Sequence, residues 1–443
     1  MSIKVGMVSL GCSKNLVDSE RMLYKLRQNG YELVTEPGLA DVAVVNTCGF
    51  IKSAKEEAIE TILELGKLKE DGTLKKIIVT GCLSERYREE AAELFPEADA
   101  VIGIGNNKDI VDVLNHVING ERYVNFGSKL DAELTGGRII STLPFFSYLK
   151  VAEGCSNCCT YCAIPQIRGK FRSVPMEDVL SEARWLAENG VKELVVIAQD
   201  TTRYGEDLYG VSKLPELLRE LCKIDGIRWI RTLYCYPERI TDELLDTIAG
   251  EEKLVKYMEI PIQHCCGDIL SRMNRWGDQQ QLTALFEKIR AKIPNVLLRT
   301  TLITGFPGET EEQFTELAEF VQKIRFDRLG CFPYSREEGT KSFDFPDQID
   351  EETAAHRADI IMEQQMLISS ENNAKLMGRE LTAVVEGFDR FGECWFGRTS
   401  MDAPDIDGKV FFTSDKPLSI GDFVTIRITD TLDYDLIGEV ISN

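Results

Sequence analysis

The sequence predicts an α/β chain in three parts: an N-terminal doubly wound α/β domain, a central partial (βα)6 barrel and a C-terminal small antiparallel β-barrel. Three observations predict it. Short apolar runs alternate with helical patterns as far as Pro333, the mark of parallel sheets flanked by helices. A stretch poor in periodicity, Gly120–Pro144, interrupts that alternation and contains Gly136-Gly137. Past Gly378 the texture changes to short alternating segments separated by Gly, Asp and Pro, as in small barrels.

The elements follow in order. Val5–Leu10, Val42–Asn46, Ile77–Thr80 and Ala100–Ile104 read as buried strands, and Ser19–Gln28, Ser53–Lys69, Glu85–Leu94 and Lys108–Ile118 as helices between them. A second series has strands at Phe146–Val151, Leu194–Ala198, Trp229–Tyr234, Lys256–Ile262, Val296–Ile303 and Arg328–Pro333. Helical patterns at Met176–Asn189, Leu214–Lys223, Gln280–Lys292 and Glu311–Ile324 separate them. Six βα units are too few to close an eight-stranded barrel but suit a partial one, with ligands at the C-terminal strand ends. Glu351–Leu376 is a long polar helix. Five short segments then suit a barrel: Leu381–Glu386, Cys394–Arg398, Val410–Thr413, Phe423–Thr429 and Leu436–Val440. The expected domains are residues 1–122, a linker at 123–144, then 145–377 and 378–443.

Composition narrows the function. The 443 residues suffice for two to four domains, and 43% hydrophobic with 28% charged residues is a globular balance. No apolar run approaches the roughly 18 residues of a membrane span. Met1-Ser2-Ile3-Lys4-Val5 runs straight into a strand-like segment, which leaves no room for a signal peptide and predicts a cytoplasmic protein. A net charge of −22 argues against a generic nucleic-acid binder and favours basic partners. Thirteen cysteines in a reducing compartment point to metal or cluster ligation rather than disulfides, and three histidines are too few and scattered for a His-rich zinc site.

The strongest signal is Gly154-Cys155-Ser156-Asn157-Cys158-Cys159-Thr160-Tyr161-Cys162. It contains Cys155-x3-Cys159-x2-Cys162. Three thiolates at that spacing can wrap one face of a 4Fe–4S cube and leave its fourth iron open to a substrate or cofactor. The rival pairing, Cys155-x2-Cys158 with Cys159-x2-Cys162, would be a four-cysteine zinc set. Zinc pairs usually stand about a dozen residues apart, and here nothing separates them. Cys12, Cys48 and Cys82 stand 36 and 34 residues apart, each where a strand ends. In a parallel sheet such ends share an edge, so the three can converge; by themselves they suit buried hydrophobes equally.

The Cys155 triplet, with Tyr161 before its last Cys and a βα barrel opening at that point, resembles the radical S-adenosylmethionine superfamily. The resemblance implies that S-adenosyl-L-methionine chelates the open iron and is cleaved to a 5′-deoxyadenosyl radical. Cys158 is not a ligand position in that superfamily and is read as non-ligating. Ser9-Leu10-Gly11-Cys12-Ser13-Lys14-Asn15, Asn46-Thr47-Cys48-Gly49-Phe50 and Thr80-Gly81-Cys82 resemble the N-terminal domain of the methylthiotransferases, and the last domain resembles their TRAM barrel. This implies two 4Fe–4S clusters: a radical one on Cys155, Cys159 and Cys162, and an auxiliary one on Cys12, Cys48 and Cys82 that carries the sulfur. Around the cofactor the expected contacts are Tyr161, Gln199 and Asp200, with Gly305 and Gly308 of Gly305-Phe306-Pro307-Gly308-Glu309.

One branch of that family modifies an adenosine of tRNA, another the β-carbon of an aspartate in ribosomal protein S-12. Leu194–Thr202, Pro261–His264, Tyr334–Thr340 and above all Asp402–Gly408 resemble the second branch. Residues 378–443 hold 13 acidic and 6 basic residues, a net of −7 that suits a basic protein better than an RNA backbone. The expected partners are S-12, an electron donor and a sulfur donor, with no membrane and only incidental nucleic-acid contact. Phe391, Trp395 and Phe396 are expected to pack within the barrel rather than stack on bases. A non-catalytic ribosome-associated Fe–S or zinc protein is the alternative of a different class. His264, beside Cys265-Cys266, is expected in the core.

Overall fold

Strands covered by helices on both faces have no polar side to show, which is why their sequences are apolar at nearly every position. In the computed structural model, which describes residues 2–442, the first sheet comprises β1 (Lys4–Ser9), β2 (Glu32–Val34), β3 (Val42–Thr47), β4 (Lys76–Gly81), β5 (Ala100–Ile102) and β6 (Tyr123–Asn125). All pair in parallel, in the order β2-β1-β3-β4-β5-β6. Alternate residues feed opposite layers. Ala43 and Val45 pack with Ala58, Ile62 and Leu65 of the helix Lys52–Glu70, whereas Val42 and Val44 pack with Met22 and Leu26 of the helix Ser13–Gln28. The order reverses between β1 and β3, the switch point beyond which open α/β sheets bind ligands.

Two strands of this sheet escape the sequence reading. Glu32–Val34 and Tyr123–Asn125 are three-residue edge strands, too short for a periodicity. The second lies in the segment read as a linker. The rest of that segment is a packed strap: Arg138, 2% exposed, donates to Glu182 at 2.7 Å and pairs with the buried Glu20 at 2.7 Å. Glu20 also accepts from the Ser141 amide at 2.7 Å.

The second sheet is open, six-stranded and parallel as predicted. Its strands are β7 (Phe146–Lys150), β10 (Glu193–Ile197), β11 (Trp229–Thr232), β12 (Leu254–Glu259), β13 (Leu297–Thr304) and β14 (Arg328–Pro333), while β8 (Ala152–Glu153) and β9 (Arg172–Ser173) form a separate hairpin. The helix Glu351–Ala374 covers the β14 end. Its buried positions Ala354, Arg357, Ala358, Ile361, Gln365 and Ile368 keep helical spacing although several are polar. Gln365 explains this, since its Nε2 donates to the Phe326 carbonyl at 2.8 Å. At the other end the helix Ser13–Gln28 lies against β7, with Asp18 ion-paired to Lys150. That docking brings the N-terminal sheet to the mouth of the partial barrel.

The C-terminal strands β15 (Glu380–Asp389), β16 (Cys394–Thr399), β17 (Val410–Thr413), β18 (Phe423–Thr431) and β19 (Leu436–Ser442) close a barrel. It is not wholly antiparallel: β17 and β19 pair in parallel to close it. Trp395 and Phe396 pack against Phe388 and Phe411, but Phe391, expected inside, stands fully exposed where the β15–β16 hairpin turns. The Asp402–Gly408 segment is not a free acidic face. Asp402 pairs with Arg328 at 2.8 Å, Asp407 accepts from Tyr257 at 2.7 Å and pairs with Arg299 at 3.3 Å, and Asp405 accepts from Tyr148 at 3.3 Å. The segment therefore ties the small barrel to side chains of the central strands β7, β12, β13 and β14. Among the described residues no helix is long and apolar enough to cross a membrane.

Candidate active site

Two cysteine triads meet in one cavity of about 390 Å³ lined by Cys12, Cys48, Cys82, Cys155, Cys159 and Cys162. Each N-terminal cysteine follows a strand of the first sheet. Cys12 is the N-cap of the helix Ser13–Gln28, and Cys82 opens the helix Cys82–Leu94, so two positive helix ends face this edge. The turns are tight enough to need glycine. Gly11 has φ +86°, and a Cβ there would lie 2.6 Å from Cys48 Cβ; Gly81 has φ +102° and would meet the Thr47 backbone at 2.5 Å. Asn15 staples the loops together, its Nδ2 donating to the carbonyls of Leu10 at 2.8 Å and Thr47 at 3.0 Å.

The second triad lies in the loop after the hairpin strand Ala152–Glu153. Cys158 is exposed, has φ +53° and lies outside the cavity lining. Burial pushes the Cys82 thiol up to about 12 and Cys155 to about 11, and raises Cys48 and Cys162 as well. Without a cation these sulfurs stay protonated at neutral pH. Sulfur is a soft donor, and six cysteines in one lining suit iron–sulfur clusters that would hold them as thiolates. Among the described residues no three His, Cys, Asp or Glu side chains converge on a single-ion site; thiolates that cap separate irons of a cube stand farther apart than ligands of one ion.

Polar groups surround the sulfurs. Arg168, fully buried, donates from Nη2 to Cys82 Sγ at 3.6 Å and from Nη1 to Glu153 and Asp18 at 3.0 Å. Arg275 donates to Cys159 Sγ at 3.9 Å and lies 4.2 Å from the Tyr236 ring centroid. The Gln199 amide donates to Glu153 at 3.3 Å, while its buried Oε1 has no partner, an acceptor suited to a ligand donor. Tyr234 and Gln263, both in the lining, hold positive φ of 63° and 71°, strain typical of functional sites.

Residues 4–103 match the Uncharacterized protein family UPF0004, 149–321 the Radical SAM superfamily and 377–441 the TRAM domain. The ribosomal protein uS12 methylthiotransferase RimO of Lachnoclostridium phytofermentans is 50% identical over 438 residues, 98% of this chain and 99% of that protein. The chain belongs to the RimO methylthiotransferase family. RimO of Thermoanaerobacter sp. strain X514 is 48% identical over 98% of this chain and 99% of its own length. The radical S-adenosylmethionine methyltransferase TsrM from Kitasatospora setae shares the fold, with a TM-score of 0.57 at 14% identity over 74% of this chain and 73% of that one.

In this RimO-family chain Tyr161 and Gln199 line the cavity. Asp200, Gly305 and Gly308 do not. Asp200 is fully buried and spent on Asn157 at 2.8 Å, Thr202 at 2.6 Å and the Arg203 amide. Gly305 is required by packing, because a Cβ would overlap Ala354, and Gly308 by its φ of +77°, with the movable end of the Arg272 side chain beside it. His264 is fully buried, accepts from the Cys266 amide at 2.9 Å, and is held down to about 3 by burial, a neutral core residue. Glu337 of the Tyr334–Thr340 segment bridges domains, pairing with Lys55 and Arg86 at 2.8 Å. Sequence reasoning missed Lys14, Arg168, Tyr234, Tyr236, Glu259, Gln263 and Arg275 in the lining. Tyr234 and Gln263 could have been found as residues at or just past predicted strand ends; Arg168 and Arg275 carry no local signal.

Proposed function

We propose that this chain is a radical S-adenosyl-L-methionine enzyme that methylthiolates the β-carbon of an aspartate in ribosomal protein uS12 in the cytoplasm. The supporting observation is the meeting of two cysteine triads in one cavity, in a chain about half identical to RimO proteins over their full length. Cys155, Cys159 and Cys162 would hold the radical 4Fe–4S cluster, and Cys12, Cys48 and Cys82 the auxiliary one. The chemistry supplied by these groups and the cofactor when bound is hydrogen abstraction from an unactivated carbon and delivery of sulfur and a methyl group.

The chain's own residues do the rest. Arg168 and Arg275 donate to Cys82 and Cys159 Sγ and would offset the negative charge of clusters held there, the kind of contact that sets cluster potential. Tyr161 and Gln199 face the cofactor, the amide through its free Oε1. Phe50, Ile51, Ala54 and Ile164 give the cavity an apolar wall that excludes water. An electron donor and a sulfur donor complete the reaction.

The test presents reconstituted enzyme, reductant, sulfide and S-adenosylmethionine with uS12 and, separately, with tRNA. The expected result is a gain of about 46 Da, one methylthio group for one hydrogen, on an aspartate of uS12 alone. Modification of tRNA alone would overturn the proposal.

A further inference from the structure

Among the described residues no carboxylate pairs with Lys14, a cation of the cavity. It is 5% exposed, stands in the first turn of the helix Ser13–Gln28 and lines the cavity. Its ammonium lies 3.0 Å from the Tyr234 ring centroid. The neighbouring carboxylates are already committed. Glu259 accepts from Arg299 at 3.1 Å and from the Tyr234 amide at 2.5 Å. Glu153 and Asp18 are held by Arg168 and Lys150. The other cavity cations differ: Arg168 has those carboxylates, and Arg275 has the Pro261 carbonyl and Cys159 Sγ. The ammonium is open to the cavity, and when a ligand excludes water from it an aromatic face offsets only part of the cost of desolvating the charge. The helix N-terminus adds positive potential at the same place.

We propose that Lys14 determines substrate specificity by receiving the side-chain carboxylate of the aspartate to be modified. This rests on the function proposed above. A reacting β-carbon lies one bond from its carboxylate, so any pose that brings the carbon between the two triads buries the carboxylate with it. A desolvated carboxylate needs a paired cation, and Lys14 is the lining cation whose charge is uncommitted. The cofactor's own carboxylate would be held by the cluster on Cys155, Cys159 and Cys162, whereas Lys14 belongs to the helix that follows Cys12. Lys14 thereby selects an acidic side chain over an amide or a neutral base.

The test is a mutant cycle on reconstituted holoenzyme. Wild type, Lys14→Met and Lys14→Arg are assayed on uS12 and on uS12 with the modified aspartate replaced by Asn, with iron content and reductive cofactor cleavage measured in parallel. Lys14→Met is expected to raise KM and Kd for uS12 by about 10- to 100-fold, the range for a lost charge-assisted hydrogen bond. Iron content and cofactor cleavage should hold, and Lys14→Arg should keep most of the affinity. The wild-type penalty for the Asn substrate should largely vanish in Lys14→Met, because the two changes remove one interaction. Additive penalties overturn the proposal. So does loss of iron, which would assign the ammonium to the auxiliary cluster, or a raised KM for S-adenosylmethionine with uS12 unaffected. Wild type that modifies tRNA but not uS12 instead overturns the underlying function.

Discussion

Replacing Cys12, Cys48 and Cys82 together by Ala is expected to leave about four irons per chain where reconstituted wild type holds about eight, as two four-iron clusters require. The variant should still cleave S-adenosylmethionine under reductant, and it should transfer no methylthio group to uS12. The separation follows from how the two triads are carried. The N-terminal cysteines sit on strand-to-helix turns of the first sheet, while Cys155, Cys159 and Cys162 belong to a loop of the central domain. Cys159→Ser should do the reverse, abolishing cleavage while about four irons remain at the N-terminal site. Two remaining thiolates would not retain the cube, so no open iron would be offered to the cofactor. Cys158→Ser should resemble wild type, since that side chain is exposed and outside the cavity. A triple variant that kept all its iron, or a Cys158→Ser enzyme that lost cleavage, would show the ligand sets to be wrong.

The three-part fold class and the cysteines that meet in the cavity were legible because each has a local cause. Alternation of apolar runs with helical periods announces parallel sheets, and cysteines at strand ends or at x3–x2 spacing are sequence-local patterns. What escaped depends on distance. Arg168 reaches Asn15 and Cys82 from another domain, and nothing in Ile164–Arg168 advertises a destination. Asp402, Asp405 and Asp407 enter the net −7 of the last domain like any acids, because charge alone cannot reveal Arg328, Tyr148 and Arg299 on the central strands. Asp200 ends a strand as a ligand residue would, yet its carboxylate caps the following turn, accepting from the Arg203 amide at 3.2 Å. Gly305 and Gly308 sit at a strand-to-helix turn, where close approach by a ligand, close approach by a helix and a positive φ all ask for the same residue.

Arg168→Met is expected to destabilise the chain by about 3–5 kcal/mol, the usual cost of removing one partner from a buried ion pair. The guanidinium is 1% exposed and bonds two carboxylates, Glu153 and Asp18, besides Asn15 Oδ1 at 2.9 Å and Cys82 Sγ at 3.6 Å. Methionine fills comparable space but, among the described residues, leaves Lys150 as the one cation paired with both carboxylates. Arg168→Lys should fall between, because an ammonium keeps the charge yet cannot fork toward Glu153 and Asn15 together. Adding Glu153→Gln to Arg168→Met should recover part of the loss, since the stranded charge goes with its partner. Arg168 is carried by the central domain, and Asp18, Asn15 and Cys82 by the N-terminal one, so the loss should concentrate at their junction. Limited proteolysis should cut sooner between the two domains, and the N-terminal iron should be retained less well than the radical cluster. The measurements are denaturant unfolding followed by domain-specific proteolysis, and iron counted before and after desalting. An Arg168→Met protein within about 0.5 kcal/mol of wild type, the range of an ordinary surface change, would show that Lys150 alone neutralises both carboxylates and that the guanidinium is not what joins the two cluster domains.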